Sequence, residues 1–271
     1  MPVANLSGTK LFYIEVGEGL PCLVMHGGLG FDHSSLHPWL DPLGEEMHLI
    51  YYDHRGNGRS GRPPLETLTF EQFCSDADAL RKHLGFEKVA VLGYSFGGFI
   101  ALEYALRYPE RLRHLILLDT APAFNYGEEI EANARRKGAT QEQLEALDAA
   151  ADDEAEFWDL LNLIAPLYFH NFDADLAERV LGKTIVCVEA AEAGEAITEE
   201  WDLTARLGEI SVPTLILVGR DDFITPPSQA RIMHERIPNS ELVVLERSGH
   251  FPHVEEPEAF FATVRGWLKL T

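Results

Sequence analysis

A chain of 271 residues with 46% hydrophobic residues suits one large core, with or without an insertion. Its formal charge of −22, from 44 acidic against 22 basic residues, argues against nucleic acid and anionic membranes as partners. Three scattered cysteines, Cys22, Cys74 and Cys187, rule against a disulfide framework or a thiolate metal site, and no run reaches the ~18 apolar residues of a membrane helix. Met1-Pro2-Val3-Ala4-Asn5 lacks a basic-then-apolar leader pattern, so a cytoplasmic location is expected.

In chain order, Val3 to Leu6 and Lys10 to Val16 predict a hairpin turned at Ser7-Gly8. Pro21 to Met25 predicts a strand that runs into His26-Gly27-Gly28-Leu29-Gly30. A short helix is expected within Trp39 to Glu46, then a strand over His48 to Tyr52 ending in Asp53-His54-Arg55-Gly56-Asn57-Gly58-Arg59-Ser60. Thr69 to Leu84 reads as a helix: Thr69 is a cap with Gln72 at the third position, Phe70, Phe73, Ala77 and Leu80 share a face, and Gly85 stops it. A strand over Lys88 to Leu92 leads through Gly93-Tyr94-Ser95-Phe96-Gly97 into a helix ended by Pro109, and Leu112 to Leu118 is the next strand. This alternation implies an α/β fold, a mostly parallel sheet with helices on both faces.

Alternation stops at Ala121-Pro122. From there to Ala205 the chain is helix-like, including Gln141 to Ala151 and Glu154 to Ile164, and holds 20 acidic against 5 basic residues. We read 122–205 as an inserted helical cap on a core made of 1–121 and 206–271, because strand signals return at Pro213 to Val218 and Glu241 to Leu245. Helices are expected over Ser228 to Ile237 and Glu256 to Leu270.

Gly-x-Ser-x-Gly alone is a weak match, but here a strand precedes it and a helix follows. That context makes a tight turn that pushes the Ser95 hydroxyl out beside a helix N-terminus. A serine nucleophile needs a base and an orienter for that base. Catalytic groups on open parallel sheets gather past the carboxyl ends of strands, where Asp222 and His250 also fall. The expected roles are Ser95 as nucleophile, His250 as general base and acid, and Asp222 as orienter. Backbone N–H groups of Phe96 and Gly28 are the expected oxyanion donors. Asp221 and Asp119 are the rival acids and His253 the rival histidine. His26 and His54 read as structural, and Asp53 and Arg55 as braces of the Gly56-x-Gly58 turn. No cofactor or metal is expected.

With these stretches, and with Trp201-Asp202-Leu203 ahead of Pro213-Thr214-Leu215, the chain resembles the α/β-hydrolase superfamily over nearly its full length. Within it, it looks most like the proline iminopeptidase-like branch. The resemblance implies a small-molecule or short peptide substrate. It also implies a cap carboxylate for the substrate's amine, which Glu189, Glu192 or Glu195 could supply. Two departures stand out: Leu29 replaces a proline of the branch's His-Gly-Gly-Pro-Gly, and Phe223 stands where a second glutamate commonly lies. An apolar Phe223 suits an ester or lactone acyl group better. Leu29, Tyr94, Phe223 and Phe251 are expected to line the pocket. The leading expectation is a serine hydrolase acting on a small ester, amide or lactone. The alternatives are carbon–carbon bond hydrolysis or hydroxynitrile cleavage on the same triad, or a ligand receptor on the same scaffold.

Overall fold

The computed structural model describes residues 2–6, 8–28 and 30–271, so Ser7 and Leu29 lie outside the described residues. Eight strands form one sheet: β1 (Val3–Leu6), β2 (Thr9–Val16), β3 (Leu20–Met25), β4 (Met47–Tyr52), β5 (Val89–Tyr94), β6 (Leu112–Leu118), β7 (Thr214–Gly219) and β8 (Ser240–Leu245). Their order is β1-β2-β4-β3-β5-β6-β7-β8. β1 and β2 pair antiparallel, as does β2 with β4, and the other neighbours are parallel. β5 and β7 are buried along their whole length, as parallel strands covered on both faces must be.

Alternation along β3 sorts two cores. Leu23 and Met25 face a layer built by α1 (Phe70–His83), α2 (Phe96–Arg107) and, further on, α8 (Pro227–Arg236). Cys22 and Val24 face the opposite layer, where Phe260, Val264 and Trp267 of α10 (Pro257–Leu268) pack. Local chemistry sets the helix ends. Thr69 accepts the Gln72 N–H at 3.2 Å, and Gly85, at φ +79°, lets the Phe86 N–H return to Arg81 O at 3.1 Å.

Between β6 and β7 lie α3 (Gly127–Arg136), α4 (Gln141–Leu147), α5 (Glu154–Tyr168), α6 (Ala174–Leu181) and α7 (Val188–Thr198). The ends of this insertion meet: Ala123 bridges Asp202, and the Leu203 N–H donates to Pro122 O at 2.8 Å. Several boundaries differ from expectation, α4 ending at Leu147 rather than Ala151 among them. The Trp39 to Glu46 helix is a 3₁₀ stretch over Asp41–Glu45, with Pro42 and Gly44 inside it disfavouring regular α-helix. α5 runs past Ile164 to Tyr168, accommodating Pro166 in its last turn. The final helix starts one residue later at Pro257, after a separate turn α9 (Pro252–Glu255).

Candidate active site

Ser95 joins β5 to α2 at φ +52°, ψ −121°, a region non-glycine residues enter at a cost of roughly 1–3 kcal/mol. Its neighbours hold it there. The Ser95 N–H donates to Leu118 O at 3.0 Å, and its carbonyl accepts from the Thr120 hydroxyl at 2.8 Å and the Gly98 N–H at 2.9 Å. The turn closes only with glycine on either side. A Cβ at Gly93 would stand 2.6 Å from the Ala101 methyl, and one at Gly97 would stand 2.5 Å from His26 O. α2 therefore docks directly on the end of β3, where the glycine-rich loop begins.

His250 and Asp222 meet beyond the ends of β8 and β7. The imidazole Nδ1 lies 2.8 Å from Asp222 Oδ2, with both side chains buried. The Asp222 carboxylate also accepts the Thr225 hydroxyl at 2.6 Å and the N–H groups of Ile224 and Thr225 at 3.0 and 3.1 Å. Burial alone would raise this carboxyl. His250 and Thr225 outweigh it and hold the group below the ordinary carboxylate range. His250 is fixed from two sides: its N–H donates to Tyr168 O of α5 at 2.6 Å, and its carbonyl accepts the Tyr94 hydroxyl at 3.1 Å.

Neither the Phe96 nor the Gly28 N–H donates to another described residue. Phe96 opens α2, where first-turn N–H groups have no helical acceptor. Gly28 sits at φ +51°, in a loop braced from below. The His26 Nε2 accepts the His54 N–H at 3.0 Å, and Asn57 Oδ1 accepts the Gly30 N–H at 2.6 Å. Asp53 accepts from His33 and from the Arg59 N–H, and Arg55 forms a two-pronged pair with Asp76. Burial drives both His26 and His54 below the ordinary imidazole range. Of the rivals, Asp221 pairs with His170, away from His250. His253 donates from Nε2 to Ser35 O at 3.1 Å. Asp119 lies beside the His250–Asp222 pair.

Ser95 opens onto a cavity with two arms that share Gly28, Phe31, Leu161, Tyr168 and Ile224. The smaller, about 120 Å³, is walled by His250, Tyr94, Phe251, Ser35 and Thr184. The larger, about 320 Å³, runs under the insertion past Phe96, Phe99, Phe124 and Phe157 to Glu192 and Glu195. Tyr94 and Phe251 thus sit on the cavity wall. Phe223 does not: it is 1% exposed, clustered with Ala134, Leu144 and Leu167, and its neighbour Ile224 faces the cavity instead. One residue of register explains the difference, because the turn that Asp222 caps sends Phe223 towards the insertion. Glu189 is also off the wall; it is exposed and accepts the Cys187 thiol at 3.4 Å. Partial burial, then the charge of Glu192, pushes the Glu195 carboxyl up.

Thr225 and Tyr168 were not singled out by sequence. Asp222-x-x-Thr225 before Pro226 is a readable Asx-type turn. Tyr168 carried no signal, since its tie to His250 spans more than eighty residues of chain. Among the described residues, two groups of side chains converge closely enough to consider a cation, Asp32 with His33 and Asp53, and Asp119 with Asp222 and His250. In the first, the Arg59 guanidinium already reaches Asp32 at 2.5 Å and Asp53 at 3.7 Å.

Residues 21–257 match the family model of the alpha/beta hydrolase fold, and the chain belongs to that family. Within it the chain is a proline iminopeptidase-like hydrolase. It is 33% identical over 280 residues to proline iminopeptidase PfmaB of Pestalotiopsis fici, covering 98% of each chain. Among solved structures it resembles the enol-lactonase of Burkholderia xenovorans, at 26% identity and TM-score 0.77 over 99% of this chain and 100% of that one. It also resembles a thermophilic esterase of Thermogutta terrifontis, at 28% identity and TM-score 0.75 over 99% and 98%. No helix of the described residues is long and apolar enough to cross a membrane.

Proposed function

We propose that this hydrolase cleaves a small ester, amide or lactone through an acyl-enzyme on Ser95. The observation that carries the reading is a strained serine on the wall of the cavity that also exposes His250, itself bonded to Asp222 at 2.8 Å. His250 takes the Ser95 proton as the hydroxyl attacks the acyl carbon, then returns it to the leaving group. Asp222 holds the imidazole with Nδ1–H inward and offsets the imidazolium charge. The Phe96 and Gly28 N–H groups receive the oxyanion, each worth roughly 3 kcal/mol in the barrier. Segment 122–205 acts as a cap that roofs the larger arm and excludes water.

The leaving group belongs on the His250 side, where the proton is returned. The smaller arm, about 120 Å³ and walled chiefly by apolar side chains, suits a small leaving group. The larger arm, lined chiefly by aromatic and aliphatic side chains, takes an apolar acyl group. Likeness to an enol-lactonase and an esterase supports this reading. Glu192 and Glu195 favour a second one: three residues apart on α7, they share a helix face and could hold a protonated amine at the acyl group's far end. A panel of p-nitrophenyl esters, a lactone, and proline arylamide with free or acetylated nitrogen tests both. Turnover of at least one substrate, abolished by Ser95→Ala, is expected. Undiminished rates in S95A would refute the serine reading, and equal handling of the free and acetylated arylamides would refute amine recognition.

A further inference from the structure

Asp119, at the end of β6, is fully buried and sits at φ +42°, a backbone position that disfavours side chains other than Asn or Asp. Its N–H donates to Leu217 O at 2.9 Å, and its Oδ1 accepts the Gly219 N–H at 2.8 Å. Its Oδ2 has no hydrogen-bond partner among the described residues, yet carboxylate oxygens of Asp119 and Asp222 and a ring nitrogen of His250 lie within 4.8 Å of one another. Two carboxyl groups so close in a buried site do not both ionise. They compete unequally: Asp222 collects four hydrogen bonds, two from N–H groups, one from the Thr225 hydroxyl and one from His250, whereas Asp119 has the Gly219 N–H alone. The negative charge therefore settles on Asp222.

We propose that Asp119 is a neutral carboxylic acid at neutral pH, its Oδ2–H donating to Asp222, and that it is a positioning residue for that carboxylate. Two of the groups that face it, Asp222 and Glu255, disfavour a second negative charge there. Asp222 comes from the loop after β7, His250 from the loop after β8, Glu255 from α9 and Tyr94 from β5, and no lysine or arginine among the described residues pairs with it. Burial, then the Asp222 charge, raises the Asp119 carboxyl well above the ordinary range, and Glu255 adds to it. A neutral donor steadies Asp222 without adding a second negative charge beside the imidazole, and an O–H···O⁻ bond is among the stronger protein hydrogen bonds. The effect on turnover rests on the serine-triad reading; the protonation does not.

Infrared difference spectroscopy of the whole protein reads the protonation directly. A protonated-carboxyl C=O band at neutral pH, lost in Asp119→Asn, is expected, and its absence from the folded wild type overturns the proposal whatever the activity. Asp119→Gly suits the positive φ but removes the donor. It is expected to lower kcat/KM roughly tenfold and to move the acid limb of its pH profile upward. Asp119→Asn retains an N–H donor for Asp222 and an acceptor for Gly219, and is expected to recover most of that loss with the acid limb restored. Equal impairment of both variants with unshifted pH profiles contradicts the positioning role. Full activity of Asp222→Asn alongside a dead D119N would make Asp119 the catalytic acid and overturn it too.

Discussion

His253 shows how a residue near the His250–Asp222 pair can be set apart from it. Burial lowers its pKa from 6.5 to about 4, and its ring donates only to Ser35 O. A histidine with a depressed folded pKa gives stability that is complete above the unfolded value and lost as pH falls. Here the window runs from 6.5 down to about 4. The shift corresponds to about 3 kcal/mol. His253→Gln, which keeps a side-chain N–H donor, should flatten the dependence of unfolding free energy on pH across that window; parallel urea-melt curves would refute this. Asp222 acts in the same sense at lower pH, since its depressed carboxyl must be protonated for the pair to be lost. At this scale Ser95, Asp222 and His250 were legible because each follows a strand. Phe223 and Ile224 were not told apart, because which of two adjacent residues faces the cavity depends on the turn that Asp222 caps.

The tight turn at Ser95 depends on the close seating of α2 on β3. Gly97 lies against the carbonyls of Met25 and His26, at the root of the loop that carries Gly28. Gly97→Ala is expected to cost roughly 2–3 kcal/mol and to lower kcat by displacing that loop. Gly266 in α10 is exposed with nothing within 4 Å of a Cβ, so Gly266→Ala should raise stability by about 0.5–1 kcal/mol. Denaturant melts check both, and a neutral G97A or a destabilised G266A would refute the packing argument. Strands β3 to β8 were readable from short apolar runs between turns, and α1 from its cap and periodicity. The bounds of the insertion helices were less so. α3 and α7 alternate small and charged residues with weak apolar stripes, and α4 stops at Leu147 although the alanine-rich sequence continues.

Across the whole molecule, charge and cavity divide the labour. Of the net −22, fifteen charges belong to 122–205, most of them on residues exposed to solvent, so the acidic composition chiefly describes the outer surface of the insertion. Among the described residues, only Glu192 and Glu195 bring that charge to the wall of the large arm. Family membership is matched by the sheet and by the motifs at its carboxyl edge, which sequence spacing exposes. The inner face of the insertion, where Tyr168, Phe157 and Leu161 line the large arm, is built through contacts that no local pattern encodes. The central claim is that Ser95 is a nucleophile activated by His250. Mapping a fluorophosphonate adduct by mass spectrometry tests it most directly: the wild type should be labelled at Ser95 and His250→Asn labelled far more slowly, whereas no adduct at Ser95, or labelling that ignores His250, would contradict it.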